Sequence, residues 1–250
     1  MIKSIAPGAG DVYSRSAFDN LGRTIVSLSG YEDAAAPNGE VVIARSQATY
    51  DKASNFLVSQ NEQRDTGVSI AIATFRSNFT ANWVDGIGRN IASADYGTNG
   101  GASFARPAII PARSDDVLVT TTAYNVAGEA FSTTDAASKE SRTHFDAMGR
   151  TTSQIDNYQA SGSGTDINVT TEYTYTADSQ IKTLTAKMSS PATDEVTTYI
   201  YGVSLTTGSE LTVNNLLFAT QYPEDTASKR EARRDRRCTG SLRRRTACGG

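Results

Sequence analysis

One short motif recurs along the chain: an aromatic residue, Asp, two residues, Gly, Arg, then a β-prone run. It stands complete at Phe18-Asp19-Asn20-Leu21-Gly22-Arg23 and again at Phe145-Asp146-Ala147-Met148-Gly149-Arg150. A third copy keeps Asp85, Gly88 and Arg89 and moves its aromatic one place back, to Trp83. Three degraded copies share the frame. The first keeps Tyr50 and Asp51, the second Tyr124 and Gly128, and the third Tyr175 alone. Tyr199-Ile200-Tyr201-Gly202 is positioned to open a seventh. The Gly position falls at 22, 54, 88, 128, 149 and 179, so successive spacings are 32, 34, 40, 21 and 30 residues. A fixed motif at irregular spacing implies one supersecondary unit with loops of variable length.

The unit reads as a β-hairpin. Residues 167–175 alternate strictly: Ile167, Val169, Thr171, Tyr173 and Tyr175 share one face, and Asn168, Thr170, Glu172 and Thr174 the other. A period of two in β-branched and aromatic residues is a strand signal. Residues 117–124 and 195–201 have the same character. At the motif itself, Asp can accept hydrogen bonds from N–H groups two residues on and close an Asx-type turn. Gly supplies positive φ. Arg opens the return strand and is expected to pair with an acid on a neighbouring strand. The aromatic is expected at the hairpin base, its ring against the next unit. The fold class expected is all-β: tandem antiparallel β-hairpin repeats forming a curled sheet. Helical periodicity is weak, with a short helix allowed only near Asp135–Ser141.

These residues resemble the YD repeat of RHS-repeat proteins, over most of residues 13–202. The resemblance implies hairpins joined edge to edge in a long sheet that spirals into a hollow shell. In bacteria such shells often enclose a C-terminal toxin. In animals, teneurin-type surface proteins use a similar barrel for adhesion. The chain has far fewer repeats than a full shell. It has no Asp-Pro pair, so the closing segment with its Asp-Pro-x-Gly feature, and the self-cleavage associated with it, are missing. It resembles an interior piece of a shell. The expected function is therefore structural or encapsulating, without catalysis of its own. Its partners would be the rest of the shell or the enclosed polypeptide. A cell-surface adhesion or carbohydrate-binding module on the same scaffold is the alternative, with glycans as partners and Trp83, Tyr173 and Tyr201 as stacking surfaces. The resemblance implies secretion or surface display, although the interrupted start at Pro7, Gly8 and Gly10 is not a signal peptide.

Charge separates the chain into two parts. Residues 229–250 hold nine Lys and Arg and two acids, a net +7, which leaves residues 1–228 with 15 basic and 25 acidic residues, or −10. An acidic body argues against nucleic acid as a partner. Alternation and aromatics stop at about Ser228, which sets the domain boundary: a repeat region over 1–228 and a basic, disordered-type tail over 229–250. That tail is compatible with a flexible anion-binding segment, a solvated tail without a partner, or a shifted reading frame. Cys238 and Cys248 are ten residues apart without a partner Cys or His, which is not a zinc spacing. No run of about 18 apolar residues exists to form a membrane-spanning helix.

Candidate catalytic groups are scarce. The single histidine, His144, occupies a variable frame position beside Phe145 and reads as a surface strand residue. The adjacent acids Asp115 and Asp116, and Glu32 and Asp33, read as solvated loop residues, because neighbours on a strand face opposite ways. Pro7-Gly8-Ala9-Gly10 lacks the Lys-Ser/Thr of a phosphate loop. Asn78-Phe79-Thr80 and Asn168-Val169-Thr170 match glycosylation sequons. The Pro- and Gly-rich segments 30–40 and 95–115 read as long inter-strand loops, because the repeat resumes after each. No catalytic, metal or cofactor residue is assigned.

Overall fold

The computed structural model describes residues 2–5, 12–36, 39–65, 74–162, 164–188, 193–202 and 215–223. The tail 229–250, both cysteines and Pro7–Gly10 lie outside the described residues. The chain divides into two compact units at Glu140/Ser141. In the first, nine strands follow one another: β1 Ile2–Ile5, β2 Val12–Phe18, β3 Thr24–Glu32, β4 Glu40–Tyr50, β5 Phe56–Arg64, β6 Phe75–Val84, β7 Asn90–Asp95, β8 Leu118–Tyr124 and β9 Ala130–Thr134. Each pairs antiparallel with the next. The second unit continues from β10 Glu140–Phe145 through β11 Thr151–Asp156, β12 Val169–Tyr175, β13 Ile181–Ala186, β14 Glu195–Tyr201 and β15 Leu217–Gln221, again each antiparallel to the next. The protein is all-β, as the alternation predicts. The single helical element among the described residues is a 3-10 turn at Asn99–Gly101. The segment near Asp135–Ser141 is not helical. Asp135 N–H donates to the Lys139 carbonyl at 2.9 Å, Ser138 has φ 64°, and β10 begins at Glu140. A second tight turn therefore accounts for the short spacing of 21 between repeats.

Register sorts the first unit's side chains onto two faces, since directly opposed residues share a face. One face carries rows of small polar residues: Ser14, Ser29, Ala44, Gln63 and Arg76 in one, Ser16, Ser27, Ser46, Asn61 and Asn78 in the next. They bond sideways. Ser46 Oγ donates to Asn61 Oδ1 at 2.8 Å, and Ser59 and Thr80 share a hydroxyl contact at 2.7 Å. The other face carries the row Thr49, Val58, Ala81, Ala94 and Val119. Here the core sits: Ala81 and Ala94 are fully buried, and Val119, Ala92 and Trp83 are buried with them.

A sheet face needs something to cover it. The cover is the loop 96–117, which folds back over β6–β8. Its Phe104 stacks on Phe79, with ring centroids 5.2 Å apart, and tilts against Tyr96 at 4.6 Å. Arg106 lies over the Trp83 ring at 4.9 Å and donates through Nε to the Asn82 carbonyl at 2.8 Å. Trp83 Nε1 donates to the Pro107 carbonyl at 3.2 Å. The segment expected as a loop is thus a strap that completes the core. Next to it, Glu62 is buried and held by Arg45, by Gln60 Nε2 at 2.9 Å and by Ser77 Oγ at 3.2 Å. These partners hold its carboxyl below the ordinary value against the effect of burial, the Arg45 guanidinium contributing most.

Removing the strap's anchor tests this packing. Phe104→Ala is expected to cost about 3 kcal/mol of stability and to shift the emission of Trp83, the single tryptophan, to longer wavelength. Denaturation followed by fluorescence checks both. Unchanged stability would mean that the strap does not close the core.

Candidate functional site

Six motif positions fall at hairpin tips, on the turns β2–β3, β4–β5, β6–β7, β8–β9, β10–β11 and β12–β13, and the seventh, residues 199–202, closes β14 where the described stretch stops at 202. Antiparallel strands in chain order place alternate turns at one end of the sheet, so within each unit the motif turns form a row. Their local geometry is shared. In the first, Asp19 N–H donates to the Arg23 carbonyl and Gly22 N–H to the Asp19 carbonyl, each at 3.0 Å. Gly22 has φ 78°. This is a tight turn followed by a left-handed residue, a common three-residue hairpin closure. The same two bonds recur at Asp51/Ser54/Asn55, Asp85/Gly88/Arg89, Asn125/Gly128/Glu129, Asp146/Gly149/Arg150 and Thr176/Ser179/Gln180. Ser54 and Ser179 accept the left-handed conformation at φ 72° and 62°. The Asp side chain fastens the turn. Asp19 Oδ1 accepts from the N–H of Leu21 and Arg23, and Oδ2 accepts from Arg23 Nε at 2.6 Å. Asp85 and Asp146 repeat all three bonds. Where Asp is lost, Asn125 Oδ1 or Thr176 Oγ1 still accepts from the N–H four residues on.

Each hairpin also carries a bulge beside the motif aromatic. Ala17 pairs with Val26 but Phe18 with Thr24, so Ile25 is extra. The register shifts at the same place before Tyr50, Val84, Tyr124, Phe145, Tyr175 and Tyr201. The extra residues Leu57, Ile91, Phe131 and Phe218 are apolar like Ile25. A bulge bends a strand and increases its twist. Seven at one place in the repeat make that bend systematic.

The Arg and the aromatic meet between hairpins. Arg23 lies over the ring of Tyr50, 4.7 Å from its centroid, and donates through Nη1 to the Asp51 carbonyl at 3.0 Å. Tyr50 Oη donates back to the Thr24 carbonyl at 3.3 Å. Arg89 and Tyr124 repeat this at 4.3 Å, with Tyr124 Oη donating to the Asn90 carbonyl at 2.9 Å. Arg150 and Tyr175 repeat it at 4.5 Å, with Tyr175 Oη donating to the Thr151 carbonyl at 2.6 Å. The planar guanidinium thus serves its own Asp, the next ring and, at Arg23, the next main chain together, which Lys could not do. Sequence reasoning places the aromatic ring against the next unit, whereas Tyr50, Tyr124 and Tyr175 lie against the Arg of the preceding hairpin. It pairs Arg with an acid on a neighbouring strand, whereas each Arg pairs with the Asp of its own turn, four residues back.

These bonds set the charge state of the acids. Burial pushes the Asp19 carboxyl up, but the Arg23 N–H, the Arg23 guanidinium and the Leu21 N–H outweigh it and hold it below the ordinary carboxylate value. Burial likewise opposes, and the Arg89 guanidinium with two N–H groups outweighs, at Asp85. At Asp146 the Arg150 guanidinium lowers the carboxyl most, and at Asp51 the Asn55 amide does.

Outside the turns, the polar face forms an open groove of about 460 Å³ whose lining includes Ser14, Ser27, Ser46, Asn61, Arg76 and Asn78. It offers hydroxyls, amides and a guanidinium. His144 is exposed on β10, its Nδ1 2.9 Å from Ser153 Oγ. Asp115 and Asp116 are exposed in the strap, as read, but Glu32 ends β3, and Asp33 accepts from the Ala35 N–H in the turn that follows. Among the described residues no three His, Cys, Asp or Glu gather as a metal site. Of the sequons, Asn78 is exposed on β6, while the Asn168 amide is tied to the main chain of Gln159.

No family model and no curated protein matches the chain. Solved structures do. The Tc holotoxin pore of Photorhabdus luminescens is similar at 13% identity and TM-score 0.37, over 77% of this chain and 11% of that one. The TcdB2–TccC3–TEV crystal structure is similar at 11% identity and TM-score 0.34, over 88% of this chain and 12% of that one. The chain spans about a tenth of the length of those chains.

Two outcomes test the turns. Gly22 and Gly88 both have positive φ, but a Cβ on Gly22 meets nothing within 4 Å, whereas one on Gly88 would lie 2.8 Å from Asn55 Oδ1. Gly22→Ala is expected to cost about 1 kcal/mol and Gly88→Ala more, measured by chemical denaturation. Equal costs would mean that neighbouring turns do not touch. Second, the turn carboxyls are lowered in the fold, so their stabilisation is complete above the unfolded carboxylate pKa of about 4. It is lost as pH falls through the still lower folded values. Thermal stability should therefore drop below about pH 4, and Asp85→Asn with Asp146→Asn should flatten that drop.

Proposed function

We propose that this chain is a wall segment of an RHS-type, YD-repeat shell, contributing hairpins edge to edge and no chemistry of its own. The observation that supports the reading is the Arg–Tyr lock, repeated at Arg23/Tyr50, Arg89/Tyr124 and Arg150/Tyr175. It uses the motif's Arg and aromatic to join one hairpin to the next and leaves neither for a substrate. A sheet that adds strands in chain order grows by repetition, and repetition needs a joint of this kind. The bulge at every motif aromatic would give such a wall its bend. The face of Ser, Asn and Gln suits a surface that stays wet and holds a polypeptide without gripping it. On this reading the partners are the rest of the wall and the polypeptide it encloses.

The adhesion reading has less to draw on. Trp83 lies beneath the strap, 4% exposed, and offers no ring to a sugar. Tyr173 Oη is occupied by Gln154 at 2.9 Å.

The wall reading predicts that the DNA flanking this coding sequence continues the aromatic-Asp-x-x-Gly-Arg motif in one frame. It further predicts that the protein translated in that frame forms a hollow particle by electron microscopy. The enclosed polypeptide should resist protease until the wall is denatured. A particle without a cavity, or immediate digestion of the whole chain, would overturn the reading. Saturable binding on a glycan array, lost on changing exposed aromatics, would replace it with adhesion.

A further inference from the structure

At the first turn of the strap over the core, the Asn99 side chain braces the main chain. Its Nδ2 donates to the carbonyls of Ala102 at 3.3 Å and Ser103 at 3.1 Å, immediately before Phe104 enters the core. Asn99 is followed by Gly100. The chain contains two Asn-Gly pairs, Asn38-Gly39 and Asn99-Gly100. A glycine after asparagine leaves its main-chain nitrogen unhindered, because no Cβ shields it.

The two pairs differ in what that nitrogen does. Gly39 N–H donates to the Ala36 carbonyl at 2.9 Å. At the second pair the neighbouring donors are used: Asn99 N–H to Tyr96, Gly101 N–H to Thr98 and Ala102 N–H to Asn99. Gly100 N–H has no acceptor among the described residues, and Gly100 is exposed to solvent. Asn99 itself sits at φ 49°, a conformation uncommon for a residue with a side chain. The side-chain amide is held against its own main chain by the two bonds to Ala102 and Ser103.

We infer that Asn99 is a spontaneous deamidation site whose conversion releases the strap. Water or hydroxide removes the Gly100 N–H proton. The nitrogen attacks Asn99 Cγ, the N–Cγ bond forms, the Cγ–Nδ2 bond breaks, and Nδ2 leaves as ammonia, having gained a proton from water. The succinimide then takes up one water. Opening at Cγ leaves an aspartate in the normal linkage at this position, and opening at the main-chain carbonyl leaves the isoaspartyl linkage. Nothing is oxidised or reduced. Either product carries a carboxylate. In the normal linkage it faces the Ala102 and Ser103 carbonyl oxygens, exchanging two hydrogen bonds for repulsion between acceptors. The isoaspartyl form also lengthens the main chain inside the turn. Both loosen the peptide that seats Phe104 on Phe79 and Arg106 on Trp83.

Trp83 reports the event, because it is the only tryptophan and lies under the strap. The full chain is held at mildly alkaline pH, sampled over days and digested with trypsin. The peptide 90–113 contains Asn99, and the peptide 24–45 contains Asn38. Fragment masses locate each amide-to-acid change, and Trp83 emission and acrylamide quenching are read on the same samples. The expected result is several-fold faster conversion at Asn99 than at Asn38 in the folded chain, with the difference removed in denaturant. Trp83 emission should move to longer wavelength in step with conversion. Asn99→Asp should show the shifted emission without ageing. Conversion at Asn99 no faster than at Asn38 would overturn the site. Conversion that leaves Trp83 unchanged, with Asn99→Asp also unchanged, would overturn its link to the strap.

Discussion

The structure depends on one guanidinium placed between two hairpins. Each complete motif bends a strand back on itself with Asp and Gly, and the Arg that follows is fixed by its own Asp before it meets the next ring. That order matters. An Arg free to rotate would lose side-chain entropy on stacking, whereas one already held by a carboxylate presents its flat face with little further cost. The Tyr completes the joint with a hydrogen bond to the carbonyl just after the Arg. Backbone ladders join strands without regard to sequence. The joint adds the sequence-specific contact that ties one turn to the next.

Much of this was legible in the amino-acid order. The period of two gave strands, and Gly at fixed offset gave positive φ at Gly22, Gly88, Gly128 and Gly149. The joint itself left a trace that was readable in principle. Tyr50, Tyr124 and Tyr175 each follow a copy ending in Arg, while Val84 follows Asn55 and Phe145 follows Glu129. Tyr201, after Gln180, is the exception, and there the Gln180 amide donates to the Asn215 carbonyl. The pairing of Arg with its own Asp was hidden because an i,i+4 pair is associated with helices, and a hairpin closure brings the same two positions together. The turn at Asp135 was hidden because Asp-Ala-Ala-Ser-Lys has good helix formers. Its Asp and a left-handed Ser138 override them.

The strap shows a different limit. Segment 95–115 has the Gly and Pro content of a loop, and it is irregular. Its covering role rests on Phe104, Arg106 and Pro107, three residues with no periodicity, which find partners on β6 only after the sheet exists. Long-range contacts of this type carry no local signal. They also mark which face of the first unit carries its core, because the opposite face carries rows of hydroxyls and amides. Part of the acidic count closes turns: Asp19, Asp51, Asp85, Asp135 and Asp146 each accept from main-chain N–H groups, so net charge alone is a weak guide to partners.

A double-mutant cycle on Arg89 and Tyr124 tests the central claim most directly. Arg89→Met and Tyr124→Leu are made singly and together, and stability is measured by chemical denaturation. If the guanidinium and the ring form the joint, the two changes couple by about 1 kcal/mol, with the double variant less destabilised than the sum of the singles. Strict additivity would contradict the account: Arg89 would then serve only its own turn, and the hairpins would be held by backbone pairing alone.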